Sequence, residues 1–177
     1  MRATKIINEL QKLSGMAVIK DPKFIKAVEQ FVFTNDQKYI SEIAKFGIPA
    51  NFKSNSGPMF RGMILDQSVL DKLEKGGKFK LDGYSSWTNN ERMAIDFVKD
   101  PKKKIAKAKG IGVIFKKKLP PNKVLLNIQS LFQFWDSMGM MDDLGIDELN
   151  AEMGLAEGET LCDRGLVLVK KDILKTV

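Results

Sequence analysis

Three short stretches of the chain hold side chains whose type and spacing could do chemistry. MFRGM sets Arg61, a charged planar fork, between apolar Phe60 and Met63. GYSSWTNNERMAIDF sets the hydroxyls of Ser86 and Thr88 on either side of Trp87. AEGETLCDRG sets Glu157 and Glu159 two residues apart, and in an extended strand positions i and i+2 point to one face, so both carboxylates would line one surface. A guanidinium can hold an anion, a hydroxyl can orient a neighbour, and a carboxylate can stabilise positive charge. Each stretch also has an ordinary structural explanation. Arg61 fits an edge-strand arginine that snorkels its head to water, Ser86 to Thr88 fits a helix cap, and two repelling acids fit a solvated loop.

These groups converge only if the elements that carry them do. Phe79, Leu81 and Gly83 alternate with Lys80, Asp82 and Tyr84, as in a short half-buried strand, which leaves Ser86, Trp87 and Thr88 at a strand-to-helix corner. Thr88 or Asn89 is then expected to cap a helix with Glu91 in its first turn and Met93, Ala94, Phe97 and Val98 on its apolar face. PMFRGMIL (58 to 65), IGVIF (111 to 115) and VLLNI (124 to 128) read as strands, the last two separated by the turn at Leu119-Pro120-Pro121. A helix is expected around Leu70 and Leu73, and LVLVKKDIL closes the chain.

Upstream the periodicity is helical. Ile6, Leu10 and Leu13 mark one helix, and Asp21-Pro22 opens a second with Phe24, Ile25, Val28 and Val32. Thr34 or Asn35 caps a third through Ile40, Ile43 and Ala44, stopped by Gly47. Helices first and short strands afterwards predict one α+β domain over residues 1–177, with a helical part at 1–50 and a largely antiparallel core at 58–171. Neither GKFKLDG nor GIG has the spacing of a phosphate-binding glycine loop.

Composition narrows the class of protein. Cys162 is the one cysteine and histidine is absent, so an intrachain disulfide is impossible, the usual zinc constellations are missing, and neither metal nor export is expected. Behind Met1-Arg2 the chain reads TKIINELQKL, a polar amphipathic pattern, and no run of about 18 apolar residues suggests a membrane span. A cytoplasmic protein is the expectation. The net charge of +7 is unevenly spread: Lys99 to Lys123 holds ten lysines against Asp100, whereas Asp136 to Asp163 holds nine acids and no lysine or arginine. Such blocks are solvated loops in most chains, and they can also make two electrostatically distinct surfaces.

In order, the three chemical stretches resemble the mono-ADP-ribosyltransferases of the arginine-serine-glutamate class, most of all the Alt and Mod type enzymes of T-even-like phages. That family carries an Arg at the end of its first core strand, a Ser-Thr-Ser element behind Gly-aromatic and before a helix, and a late Glu-x-Glu. Here FRG, GYSSWTNNERMAIDF and AEGETLCDRG stand in those places. Trp87 replaces the family's middle Thr and Thr88 its last Ser, while the first hydroxyl is kept as Ser86.

The resemblance implies a core of two packed, mostly antiparallel small sheets and NAD as substrate, without a metal. It implies that Glu159 stabilises the ribosyl cation, that Ser86 orients Glu159, and that Arg61 clamps a phosphate. It further implies that Gly62 lets the nicotinamide amide approach the backbone, that Thr88 contacts the nucleotide ribose, and that Tyr84 or Phe97 packs against a ring. Glu157 would select arginine acceptors. The region from about Asp136 to Ala156 would face the target, favouring basic host proteins such as RNA polymerase or ribosomal proteins, with Met138, Met140, Met141 and Met153 as an adaptable surface. Lys99 to Lys123 would touch nucleic acid carried by the target. An NAD glycohydrolase, an enzyme modifying nucleic acid, and a non-catalytic basic nucleic-acid-binding module are the competing expectations.

Overall fold

A computed structural model describes residues 15–55, 57–99, 109–156 and 158–177. The helix expected on Ile6, Leu10 and Leu13 lies outside them, as does Glu157. Asp21 caps the first described long helix, α1 (Pro22–Thr34), by accepting from the Lys23 amide at 2.8 Å, with Pro22 in the first turn. Helix α2 (Gln37–Ile43) is capped by Asp36, not by Thr34 or Asn35; Asn35 instead ends α1 in the left-handed region at φ 55°. An Asn side chain tolerates that region better than most, which lets the chain reverse there without glycine.

The strand-rich part runs β1 (Met59–Leu65), α3 (Gln67–Glu74), β2 (Lys78–Leu81), β3 (Ser85–Thr88), α4 (Glu91–Lys99), β4 (Ile111–Lys117) and β5 (Val124–Asn127). It continues with α5 (Ile128–Ser137), α6 (Glu148–Ala156), β6 (Glu159–Cys162), β7 (Leu166–Val169) and β8 (Ile173–Thr176). Six strands form one antiparallel sheet in the order β5-β6-β3-β1-β4-β8, and β2 pairs with β7 in a second, antiparallel sheet. The chain is therefore α+β with two antiparallel sheets.

Two boundaries differ from the sequence reading. Lys78 to Leu81 does not lead into the Ser86 stretch as one strand: β2 turns away to join β7, and Ser85 to Thr88 form their own strand. The strand expected through Ile128 stops at Asn127, whose side chain accepts from the Ser130 amide at 2.9 Å and starts α5.

Strand alternation divides the core. On one face of the large sheet Met59, Leu65, Trp87, Val113, Phe115 and Cys162 pack against α3 and the small sheet through Leu70, Leu73, Leu81, Leu166 and Leu168. On the other face two separate clusters form. Helices α1, α2 and α5 cover the β5–β6 end through Phe31, Ile40, Phe132, Trp135, Leu126 and Leu161, and α4 covers β1 and β4 through Ala94, Val98 and Ile114. Among the described residues no helix is long and apolar enough to cross a membrane.

Candidate active site

The gap between those two clusters lies over β3, and it is where the polar face of the large sheet is left uncovered. Ser86, Thr88 and Glu159 line it from below; Phe60, Arg61 and Gly62 line it from β1; Met93, Ala94, Asp96 and Phe97 form the α4 wall; and Asn35 reaches it from the end of α1. Thr88 registers with Glu159 on one side and with Phe60 on the other, so β3 joins the strands that carry the arginine and the glutamate. Residues read separately from positions 61, 86 and 159 thus line one cleft.

Alternation along β3 explains why this strand can be both polar and well packed. Ser85 and Trp87 point to the apolar face, where the indole Nε1 donates to Ser85 Oγ at 3.1 Å and Trp87 is fully buried. Ser86 and Thr88 point the opposite way, into the cleft. Trp87 is therefore a core residue and leaves the cleft unobstructed.

Arg61 makes use of the short ladder between β1 and β3, which has one registered pair. Its Nη1 donates to the Ser86 carbonyl at 2.5 Å. The residue is partly exposed, but its Nε is shut off from solvent and has no hydrogen-bond partner among the described residues. Burial pushes the guanidinium down to about 10, with the neighbouring Cys162 and Glu159 pulling it back up, so it stays charged at neutral pH. A cation held at the cleft wall by a backbone carbonyl is suited to an anionic ligand. Burial also pushes the Cys162 thiol up to about 12, against the opposing pull of Arg61, which makes this cysteine a packed, unreactive group.

Glycine at position 62 has a structural reason of its own. A Cβ there would run into the Ala94 carbonyl and Val98 Cγ2, and one at Gly112 on the neighbouring strand would stand 2.6 Å from Val98 Cγ1. The close approach that Gly62 permits is that of α4, which brings Ala94 and Phe97 to the cleft. Helix α4 is capped by Asn90, whose Oδ1 accepts from the Arg92 amide at 3.0 Å; Thr88 Oγ1 in turn accepts from the Asn90 amide at 3.0 Å, so Thr88 braces the turn without being the cap.

Other residues singled out from the sequence fall elsewhere. Tyr84 does not line the cleft; its ring packs on the α1–α2–α5 cluster and carries the Arg164 guanidinium 4.6 Å from its centroid. Gly158 has φ 57°, and β6 begins only at Glu159, so the extended geometry expected to align Glu157 with Glu159 is interrupted between them. Of the four methionines, Met140, Met141 and Met153 belong to the core or pack against it, and Met138 alone is strongly exposed.

Lys102, Lys103, Lys104 and Lys107 of the basic block lie outside the described residues. Lys117 is tied to Asp172 at 2.6 Å in a largely buried ion pair, and Lys123 donates to the Arg164 carbonyl at 2.7 Å, so these two serve the fold. Asn35 was not marked by the sequence as a cleft residue; a cap residue at a helix–helix junction gave no sign of the sheet face it would meet. No group of three or more Cys, Asp or Glu side chains among the described residues is arranged to hold a metal ion. No family model, no curated protein and no solved structure matches the chain.

Proposed function

We propose that this protein is an NAD-dependent mono-ADP-ribosyltransferase with the fold of that family, as the resemblance of its three sequence stretches implies. The observation that supports it best is the convergence of Arg61, Ser86 and Glu159, from three adjacent strands, on one cleft walled by Phe60 and Phe97. In this reading the diphosphate of NAD pairs with Arg61 and the nicotinamide end enters between the aromatic side chains. The bond between nicotinamide and ribose C1′ breaks with its electrons leaving on the nicotinamide, and the ribose gains oxocarbenium character. Glu159, nearly buried in the cleft lining, stabilises that charge through the 2′-hydroxyl. An acceptor nitrogen then attacks C1′ and gives up a proton.

Arginine as the acceptor rests on Glu157 and the resemblance; an acidic approach surface from Asp136 to Ala156 is consistent with a basic bacterial host protein. Incubation with NAD labelled in its adenylate part and a bacterial lysate tests the reading. Label on protein, released by neutral hydroxylamine, and free nicotinamide in equal amount are the expected products. Free ADP-ribose alone would make the protein a glycohydrolase, label on nucleic acid would move the acceptor, and absence of nicotinamide release would remove the proposal.

A further inference from the structure

Beyond the three family positions, a chain of contacts runs from α6 through α5 to the loop behind β3. Gln129, in the first turn of α5, donates from Nε2 to the Leu155 carbonyl at 2.9 Å, taking up one of the acceptors left open at the C-terminal end of α6. Its Oε1 accepts from Asn89 Nδ2 at 3.1 Å. The Asn89 amide donates to the Gly158 carbonyl at 3.1 Å, which carries the β3–β6 ladder one step past the Thr88–Glu159 pair. The Asn89 side chain also fills the place where a Cβ on Gly158 would stand, and glycine accepts φ 57° readily there. Every group in this relay meets the residue directly before Glu159, or the end of the helix that leads to it, and neither Asn89 nor Gln129 lines the cleft.

We infer that Asn89, held by Gln129, is a positioning residue for Glu159. This rests on the proposed function, because it assigns the relay a part in that same reaction. The β3–β6 ladder holds the Glu159 backbone through its register with Thr88, and the relay fixes the turn directly before it. A carboxylate that must sit within a few tenths of an ångström of the ribose hydroxyl depends on both. Substrate binding, by contrast, depends on Arg61 and the cleft walls, which the relay does not touch.

The test is steady-state nicotinamide release by the full chain, with NAD as the probe, for Asn89→Ala, Gln129→Ala and the double variant. Each single change is expected to lower kcat by roughly three- to thirtyfold, with KM for NAD changed less than about twofold. Because Gln129 and Asn89 share the Nδ2–Oε1 bond, the double variant should lose clearly less than the product of the two single losses. Gln129→Ala keeps the Asn89 side chain beneath Gly158, so it remains informative should Asn89→Ala fold poorly. Unchanged kcat in Gln129→Ala, a parallel rise in KM, or losses that multiply in the double variant would overturn the inference while leaving the proposed function intact. No nicotinamide release from the wild-type chain would overturn both.

Discussion

At the scale of single residues, Glu159 and Arg61 stand for two different demands on the same cleft. In the proposed reaction the carboxylate stabilises charge that exists only in the transition state, so Glu159→Gln, which keeps shape and loses charge, should lower nicotinamide release by about 10²- to 10³-fold while NAD affinity stays near wild type. Retention of more than about a tenth of the turnover, a loss below ~1.4 kcal/mol, would take Glu159 out of the reaction. Arg61 is instead a partly buried cation already in place before any ligand arrives. Its folded proton affinity lies below the ordinary arginine range, at about 10, so the unfolded chain holds this proton more tightly. The resulting cost is fully present below about pH 10 and fades only as pH rises beyond it.

Such a charge is retained at the expense of stability, and its release should show. Arg61→Met fills a similar volume without the charge or the unpartnered Nε. It is expected to leave the melting temperature at neutral pH unchanged or raised, while weakening NAD binding at least about tenfold by calorimetry, the scale of a lost charge-assisted contact. A clear fall in melting temperature would show that the Ser86 carbonyl needs Arg61 more than the fold is burdened by it. Unchanged NAD affinity would detach Arg61 from the ligand.

At the scale of elements, the cleft exists because α4 sits low on β1 and β4, and it sits low because two glycines face it. Gly62→Ala would place a methyl against the Ala94 carbonyl, which is backbone and cannot rotate away. Helix α4 must lift or slide, costing about 1–3 kcal/mol and roughly 3–10 °C in melting temperature, with loss of the Phe97 wall. Gly47→Ala is the matched control: nothing stands within 4 Å of its Cβ position and its φ is ordinary, so thermal unfolding should barely change. Equal effects of the two substitutions would mean that α4 is not seated as described.

The same elements show what a single chain makes legible. Strands β1 and β4 and helices α1 and α4 follow from alternation, helical period and caps, which are local signals. The division of β2 from β3 is only partly local: Asp82-Gly83 in KLDGYSS marks a turn, but the pairing of Lys78 to Leu81 with β7 near the far end of the chain is not written there. Helix α5 hid behind VLLNI, an apolar run that serves strand and helix equally until Asn127 is read as a cap. The three chemical stretches were found by their order, whereas Asn35, Asn89 and Gln129 have common side chains whose placement depends entirely on which elements meet. The interruption at Gly158 was open to inspection, since a glycine between two glutamates permits a left-handed turn as readily as a strand.

For the whole molecule, the uneven charge is the remaining feature that bears on function. Described lysines of the basic block are partly absorbed by the fold, as Lys117 and Lys123 show, while the described acids between β5 and β6 stay on the surface. Glu148 and Glu152 lie one helical turn apart on α6, both exposed, with Leu149 strongly exposed beside them, and α6 leads directly toward β6 and Glu159. An acidic helix face at this place would draw in a basic target by long-range attraction and contribute little once contact is made. Neutralising it with Glu148→Gln and Glu152→Gln together should therefore slow ADP-ribose transfer to a basic, arginine-bearing protein by about three- to tenfold at low ionic strength. The difference should vanish as added salt shortens the screening length to a few ångströms, near 1 M. Transfer to a small guanidinium compound, which gains little from steering, should be the same for both proteins at every salt concentration. A double variant that slows both acceptors equally would place these glutamates in the chemistry of the cleft, and one that slows neither would mean that the target approaches over another face.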